Sequence, residues 1–116
     1  MLDDVSVTVL HAAMRGLAQR QRAISDDIAN VNTPFFKARS VEFEGSLRNA
    51  VRSGGDPMAD TTATVRTSQA PAGLNGNNVD LAAESIASVT TEMAYQLALR
   101  AAGDRFSLVR AAIRGA

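Results

Sequence analysis

The sequence predicts a mainly α chain built on two long rods. Two observations carry this. Apolar residues recur with coiled-coil spacing near the N-terminus and again toward the C-terminus, and the stretch between them has no helical period. A proline, Pro34, closes the first pattern. The rods are expected at about residues 4–32 and 80–113. They would form an antiparallel coiled-coil-like hairpin, joined by an irregular middle with room for a short β segment. The organisation then reads as an N-terminal rod helix over 1–34, a junction and extended, flexible arm over 35–79, and a C-terminal rod helix over 80–116, one structural domain in all.

The first rod carries Leu10, Met14, Leu17, Ile24, Ile28 and Val31 at alternating steps of four and three, with Gln21 at the missing position. That is an a/d seam, and a polar Gln in it either sets register or is a tolerated defect. Asp3 or Asp4 suits the N-cap. Val5, Val7 and Val9 alternate, which leaves the first turn open to an extended conformation. Asp26 and Asp27 read as a solvated face, because adjacent helical residues diverge by about 100° and do not converge on one ligand.

The helix must stop near Asn32, since Pro34 disfavours helical geometry at Thr33. Asn30, Asn32, Thr33, Pro34 and Lys37 form the junction, with Phe35 and Phe36 inside it. In an extended segment the two rings point opposite ways, so one is expected inward and one outward. Val41 to Glu44 alternates and fits a short strand or the start of a helical turn. Thr61 to Thr67 is β-prone. From Ser53 to Asn78 the composition turns to Gly, Ser, Thr, Asn, Asp and Pro, too polar to fold without neighbours.

Asp80 is a suitable N-cap for the second rod. Its apolar positions are Ile86, Val89 and Met93, then Leu99, Phe106, Val109 and Ile113. Met93 to Leu99 is six residues instead of seven, which rotates the stripe around the helix. The expectation is that the two seams face each other. Apolar surface left over on the second helix would then be covered by other subunits.

Composition excludes several classes. Hydrophobic residues make up 46% of the 116, yet alanine is the commonest and only five are aromatic, so the core is thin and a partner is expected. A net charge of zero, with no basic block, argues against nucleic-acid binding. With no cysteine there is no disulfide or thiolate chemistry. His11 has no Cys or acid nearby to complete a metal or catalytic site. No apolar run approaches the roughly 20 residues needed to span a bilayer. Met1-Leu2-Asp3-Asp4 is acidic where a secretory leader would be basic, so no cleaved leader is expected. No catalytic, cofactor or metal residue is proposed.

Four stretches, in order, resemble the bacterial flagellar basal-body rod proteins. They are Ala29-Asn30-Val31-Asn32-Thr33-Pro34 with Lys37-Ala38; Asn77-Asn78-Val79-Asp80-Leu81 with Glu84; Tyr95; and Arg105 to Ile113. The short length is similar to that of the proximal-rod members. The family pattern at the junction has Gly and Tyr where this chain has Phe35 and Phe36, and Gln is common at the position of Glu92. Without that Gly, the turn is expected to adopt a conformation that ordinary residues tolerate. The resemblance implies a non-enzymatic subunit that polymerises into a helical tube, transmits torque and surrounds the export channel. It implies export through the flagellar type III apparatus and assembly in the periplasm. Its partners would be copies of itself, other rod proteins and the adaptor between the MS ring and the export gate. The subunit interfaces would fall on the two seams and on Phe35 and Phe36. The rival reading is a soluble helical-hairpin adaptor or chaperone for a partner helix.

Overall fold

The computed structural model describes residues 2–115. Two long helices run antiparallel, and a short arm folds back on the first. The element order is α1 (Leu2–Ala29), β1 (Arg39–Glu42), α2 (Glu44–Arg52), α3 (Pro57–Asp60), β2 (Thr64–Thr67) and α4 (Leu81–Gly115). The shape is extended, 66 × 27 × 14 Å. At 1.5 Å per residue α1 spans about 42 Å and α4 about 52 Å. The fold class is the one the spacing predicts.

Boundaries differ in detail. α1 is helical from Leu2, so Asp3 and Asp4 lie within the helix and do not precede it, and the valine alternation does not interrupt it. The helix ends at Ala29, three residues earlier than expected, and 30–32 continue as turns. The Asp26 carbonyl accepts both the Asn30 backbone N–H at 3.1 Å and the Asn30 side-chain amide at 2.8 Å, which secures the last turn of the helix. Asp80 caps α4 as its sequence position implies: its carboxylate accepts the Ala83 N–H at 3.1 Å.

α4 turns a different face to α1 from the one that hydrophobicity selects. Thr91, Ala98 and Ala102 are buried on it, and Glu84, Ser88 and Tyr95 are partly covered. Positions 84, 88, 91, 95, 98 and 102 follow strict 4-3 steps, so the seam is a heptad of small and polar residues. Small side chains let two helices approach closely. On α1, Leu17 and Ile24 are buried, and Leu10, Met14, Gln21, Ile28 and Val31 are partly covered. Gln21 Nε2 donates to Ser88 Oγ at 2.8 Å, tying the two seams at mid-length. The residues expected to face α1 point away. Ile86, Val89, Met93, Leu99, Phe106, Val109 and Ile113 are all exposed, and every residue from 103 to 115 is exposed.

A second face of α1 carries the arm. The short strand and the helical turn both occur near Val41: β1 ends at Glu42 and α2 begins at Glu44. β1 pairs antiparallel with β2, with Val41 opposite Val65. Only Val41 of the ribbon is buried. Phe43, 3% exposed, lies against Gly16, where a Cβ would overlap the ring. Arg20 fastens this contact. Its guanidinium lies 4.9 Å from the Phe43 ring centroid. Two of its nitrogens donate to the Val41 carbonyl at 3.1 and 2.7 Å. It also grips both carboxylate oxygens of Glu44 at 2.7 and 2.6 Å. This forked bond holds the Glu44 carboxyl down at about 2. Arg15 extends the attachment with a 2.6 Å bond to the Met58 carbonyl.

Gly16→Ala tests this docking. Alanine is better than glycine in a helix by about 1 kcal/mol. Overpacking against a fixed ring costs about 1–3 kcal/mol. The Cβ would overlap three ring atoms, so the steric term should win, with a net loss of about 1–2 kcal/mol in urea unfolding. Adding Phe43→Leu should return part of the loss relative to Phe43→Leu alone, read as a double-mutant cycle.

Candidate functional site

Two stretches far apart in sequence, the junction at 30–38 and the approach to α4 at 73–80, come together in one clasp at the closed end of the hairpin. Asn77 is its centre. It is 7% exposed, and its Nδ2 donates to the carbonyls of Asn30 and Thr33, each at 2.8 Å. Its Oδ1 accepts the Val79 N–H at 2.8 Å. One amide side chain therefore ties the turns that follow α1 to the segment that enters α4. Asn78 does the same for the arm. Its Nδ2 donates to the carbonyls of Ser68 and Ala70, and its Oδ1 accepts the Ala38 N–H. Lys37 Nζ donates to the Gly76 carbonyl, and the Phe35 N–H to the Asn75 carbonyl. Thr33 Oγ1 and Asn30 Oδ1 are 3.0 Å apart.

Phe35 overturns one expectation. Its φ is +64°, so the turn keeps the left-handed conformation that a glycine would adopt there. A side chain in that region costs about 1–2 kcal/mol. Its ring is 78% exposed and rests on Gly76, where a Cβ would overlap it; Gly76 itself has φ +79°. Phe36 is partly covered, so one ring points out and the other partly in.

Beside the clasp, Asp27 corrects the reading of a solvated acid. It is fully buried, 0% exposed, while Asp26 is exposed and bound to Arg39 at 3.0 Å. Both Asp27 oxygens accept the Arg39 backbone N–H at 3.2 Å. Across the helix pair it shares a side-chain hydrogen bond with Glu84. Burial raises the Asp27 carboxyl above its ordinary value. Burial first, and then the neighbouring Asp27, push Glu84 up to about 7. The signal for this was available: Asp27 stands three residues after Ile24 and four before Val31, on the apolar side of α1.

The chemistry here is adhesive. The described residues hold no group of three His, Cys, Asp or Glu that could bind a metal, and no described helix is long and apolar enough to cross a membrane. A cleft of about 250 Å³ beside Phe43 is lined by Ala12, Arg15, Gly16, Gln19 and Thr61–Ala63. Its one charged lining residue, Arg15, is already bound to Met58. The large exposed feature is the ladder along α4: Ile86, Val89, Met93, Leu97, Leu99, Phe106, Leu108 and Ile113 are between 48% and 75% exposed.

An extended helical hairpin, with an apolar ladder outside and a hydrogen-bonded clasp at one end, defines a structural subunit built to be packed on. The comparisons with known proteins agree. The chain is 31% identical to the flagellar basal body rod protein FlgB of Cereibacter sphaeroides, over 83% of this chain and 84% of that protein. It is 28% identical to FlgB of Escherichia coli over 87% and 88%. It is 25% identical to FlgB of Salmonella typhimurium over 99% of both. No protein-family profile matches it. The chain belongs to the FlgB family of flagellar basal-body rod proteins.

Asn77→Ala tests the clasp. It would leave the Val79 N–H without its partner, at about 1–3 kcal/mol for a buried group, and would take from the Asn30 and Thr33 carbonyls their second hydrogen bond, the first coming from the Thr33 and Phe36 N–H groups. The expected loss in urea unfolding is about 2–3 kcal/mol. Asn77→Asp keeps the acceptor for Val79 but removes both donors, so it should be no better than alanine.

Proposed function

We propose that this chain is a structural subunit of the flagellar proximal rod, polymerising into the helical tube that transmits torque and surrounds the export channel. The observation that carries this reading is the α4 ladder. The chain has large apolar side chains exposed along most of a helix about 52 Å long, and its own α1 meets the opposite, small-residue face. Each such side chain gains about 1.5–3 kcal/mol on going from full exposure to full burial. Neighbouring subunits are the natural cover.

On this reading the subunit interface consists of Ile86, Val89, Met93, Leu99, Phe106, Val109 and Ile113, with Phe35 at the clasp. Leu17 and Ile24 are buried within the subunit, and with Leu10, Met14, Ile28 and Val31 they serve mainly to hold the hairpin. The rods at 1–34 and 80–116 form the tube wall, and the arm at 35–79 braces it. Partners are copies of itself, other rod proteins and the adaptor between the MS ring and the export gate. Delivery is through the flagellar type III apparatus to the periplasmic basal body. No catalytic step is assigned to it.

Met93→Asp and Ile113→Asp test this reading against that of a soluble adaptor. Both positions are exposed, so the helicity and unfolding midpoint of the free chain should change by less than about 0.5 kcal/mol. Rod assembly and motility should be lost. Intact basal bodies in both strains would overturn the proposal. Phe35→Gly separates two roles of the ring. Relief of the left-handed strain should raise the free chain's stability by about 1 kcal/mol, while assembly weakens.

A further inference from the structure

The Asp27–Glu84 contact joins α1 to α4 at the closed end of the hairpin, with an acid on each side. Asp27 is wholly enclosed, and its two oxygens already face the Arg39 N–H. Two ionised carboxyls cannot share a hydrogen bond; one of them must carry a proton. The Arg39 N–H favours charge on Asp27, so the proton resides on Glu84, which donates to Asp27. The surrounding charges sharpen this. Asp26 precedes Asp27 on α1, Asp80 caps α4 one turn before Glu84, and the Arg39 guanidinium from β1 is engaged by Asp26 on the surface. Full ionisation would gather four carboxylates around one guanidinium. The positive end of the α4 dipole opposes this by only about 0.3–1 kcal/mol.

We propose that Asp27 and Glu84 form a proton-operated latch, closed by one proton shared between the two helices and loosened when both carboxyls ionise. Folding of the hairpin then takes up a proton. The direction follows from linkage. Glu84 in the folded chain stands near 7, above its ordinary value of 4.5. The folded state therefore binds more protons than the unfolded state between those two values, and stability falls as pH rises through that window. The stabilisation is complete below about 4.5 and lost above about 7. Glu44 acts in the opposite sense and in another range: its stabilisation is present above 4.5 and lost toward 2.

Urea unfolding of the full chain, followed by far-ultraviolet circular dichroism from pH 5 to pH 8, tests the latch. The wild-type folding constant should drop by about 10- to 100-fold across this range. Glu84→Gln supplies a permanent neutral donor to Asp27, so it should match the wild type near pH 5 and stay flat to pH 8. A flat wild-type profile, or a Glu84→Gln profile as steep as the wild type, would overturn the proposal. Should Glu84→Gln fail to fold, the side-chain carboxyl carbon of Glu84 in the wild type is titrated by NMR. A midpoint near 7 supports the latch, and one near 4.5 rules it out.

Discussion

The whole molecule depends on the Asn77 side chain. Two helices of unequal length meet only if the chain can stop one, leave, and return to start the other at the same end. Every stop leaves unpaired carbonyls, and every return leaves unpaired N–H groups. Asn77 ties the stop to the return, since an amide has two donors and an acceptor on one rigid plane: the donors reach the turns after α1 and the acceptor takes the Val79 N–H ahead of α4. An acid lacks the donors, and a serine lacks the reach. Asn78 repeats the device for the strand ends, so junction, arm and α4 share adjacent residues as anchor points.

From this anchoring follows the division of surfaces. α1 is covered twice, by α4 on its heptad seam and by the arm on the side of Ala12 and Gly16. α4 is covered once, and by small residues. Thr91, Ala98 and Ala102 spend little apolar area on the intramolecular contact, and the long side chains remain outside. A free chain built this way is thinly stabilised, because alanine and threonine contribute little burial. The same design leaves most of the hydrophobic free energy of α4 unspent until something packs on it.

This also explains what the sequence could and could not disclose. The α1 seam was legible because its partners are Leu, Ile and Met at heptad spacing, and the junction because Pro34 stops a helix on steric grounds. The α4 orientation was not. Hydrophobicity ranks Ile86 and Met93 above Ala98 and Ala102, so the pattern points to the face with the most apolar area. In a subunit whose outer face is left for other contacts, that is the wrong one for the hairpin. Asp27 departs from expectation for a related reason: acids are usually solvated, and only its position between Ile24 and Val31 marks it as inward. Arg20 carried no sequence signal, because its three partners, Val41, Phe43 and Glu44, lie beyond the junction and become neighbours only after the arm folds back.

Phe35 is where local cost and wider benefit can be weighed directly. A phenylalanine held at φ +64° costs about 1–2 kcal/mol that a glycine would not. What it recovers in the free chain is one face of contact with Gly76, with the ring still 78% exposed. The ring therefore gives back little inside the subunit, since most of its area remains in water. Strain retained without an internal return is reasonable where the ring is covered in a larger structure, because burying a phenylalanine is worth about 1.5–3 kcal/mol, enough to offset the backbone term. The turn itself is set by the hydrogen bonds of Asn75, Lys37 and Asn77, and these hold the left-handed geometry whichever residue occupies position 35. The backbone at this junction is thus fixed by the clasp, while the side chain it presents is free to vary with what is packed against it.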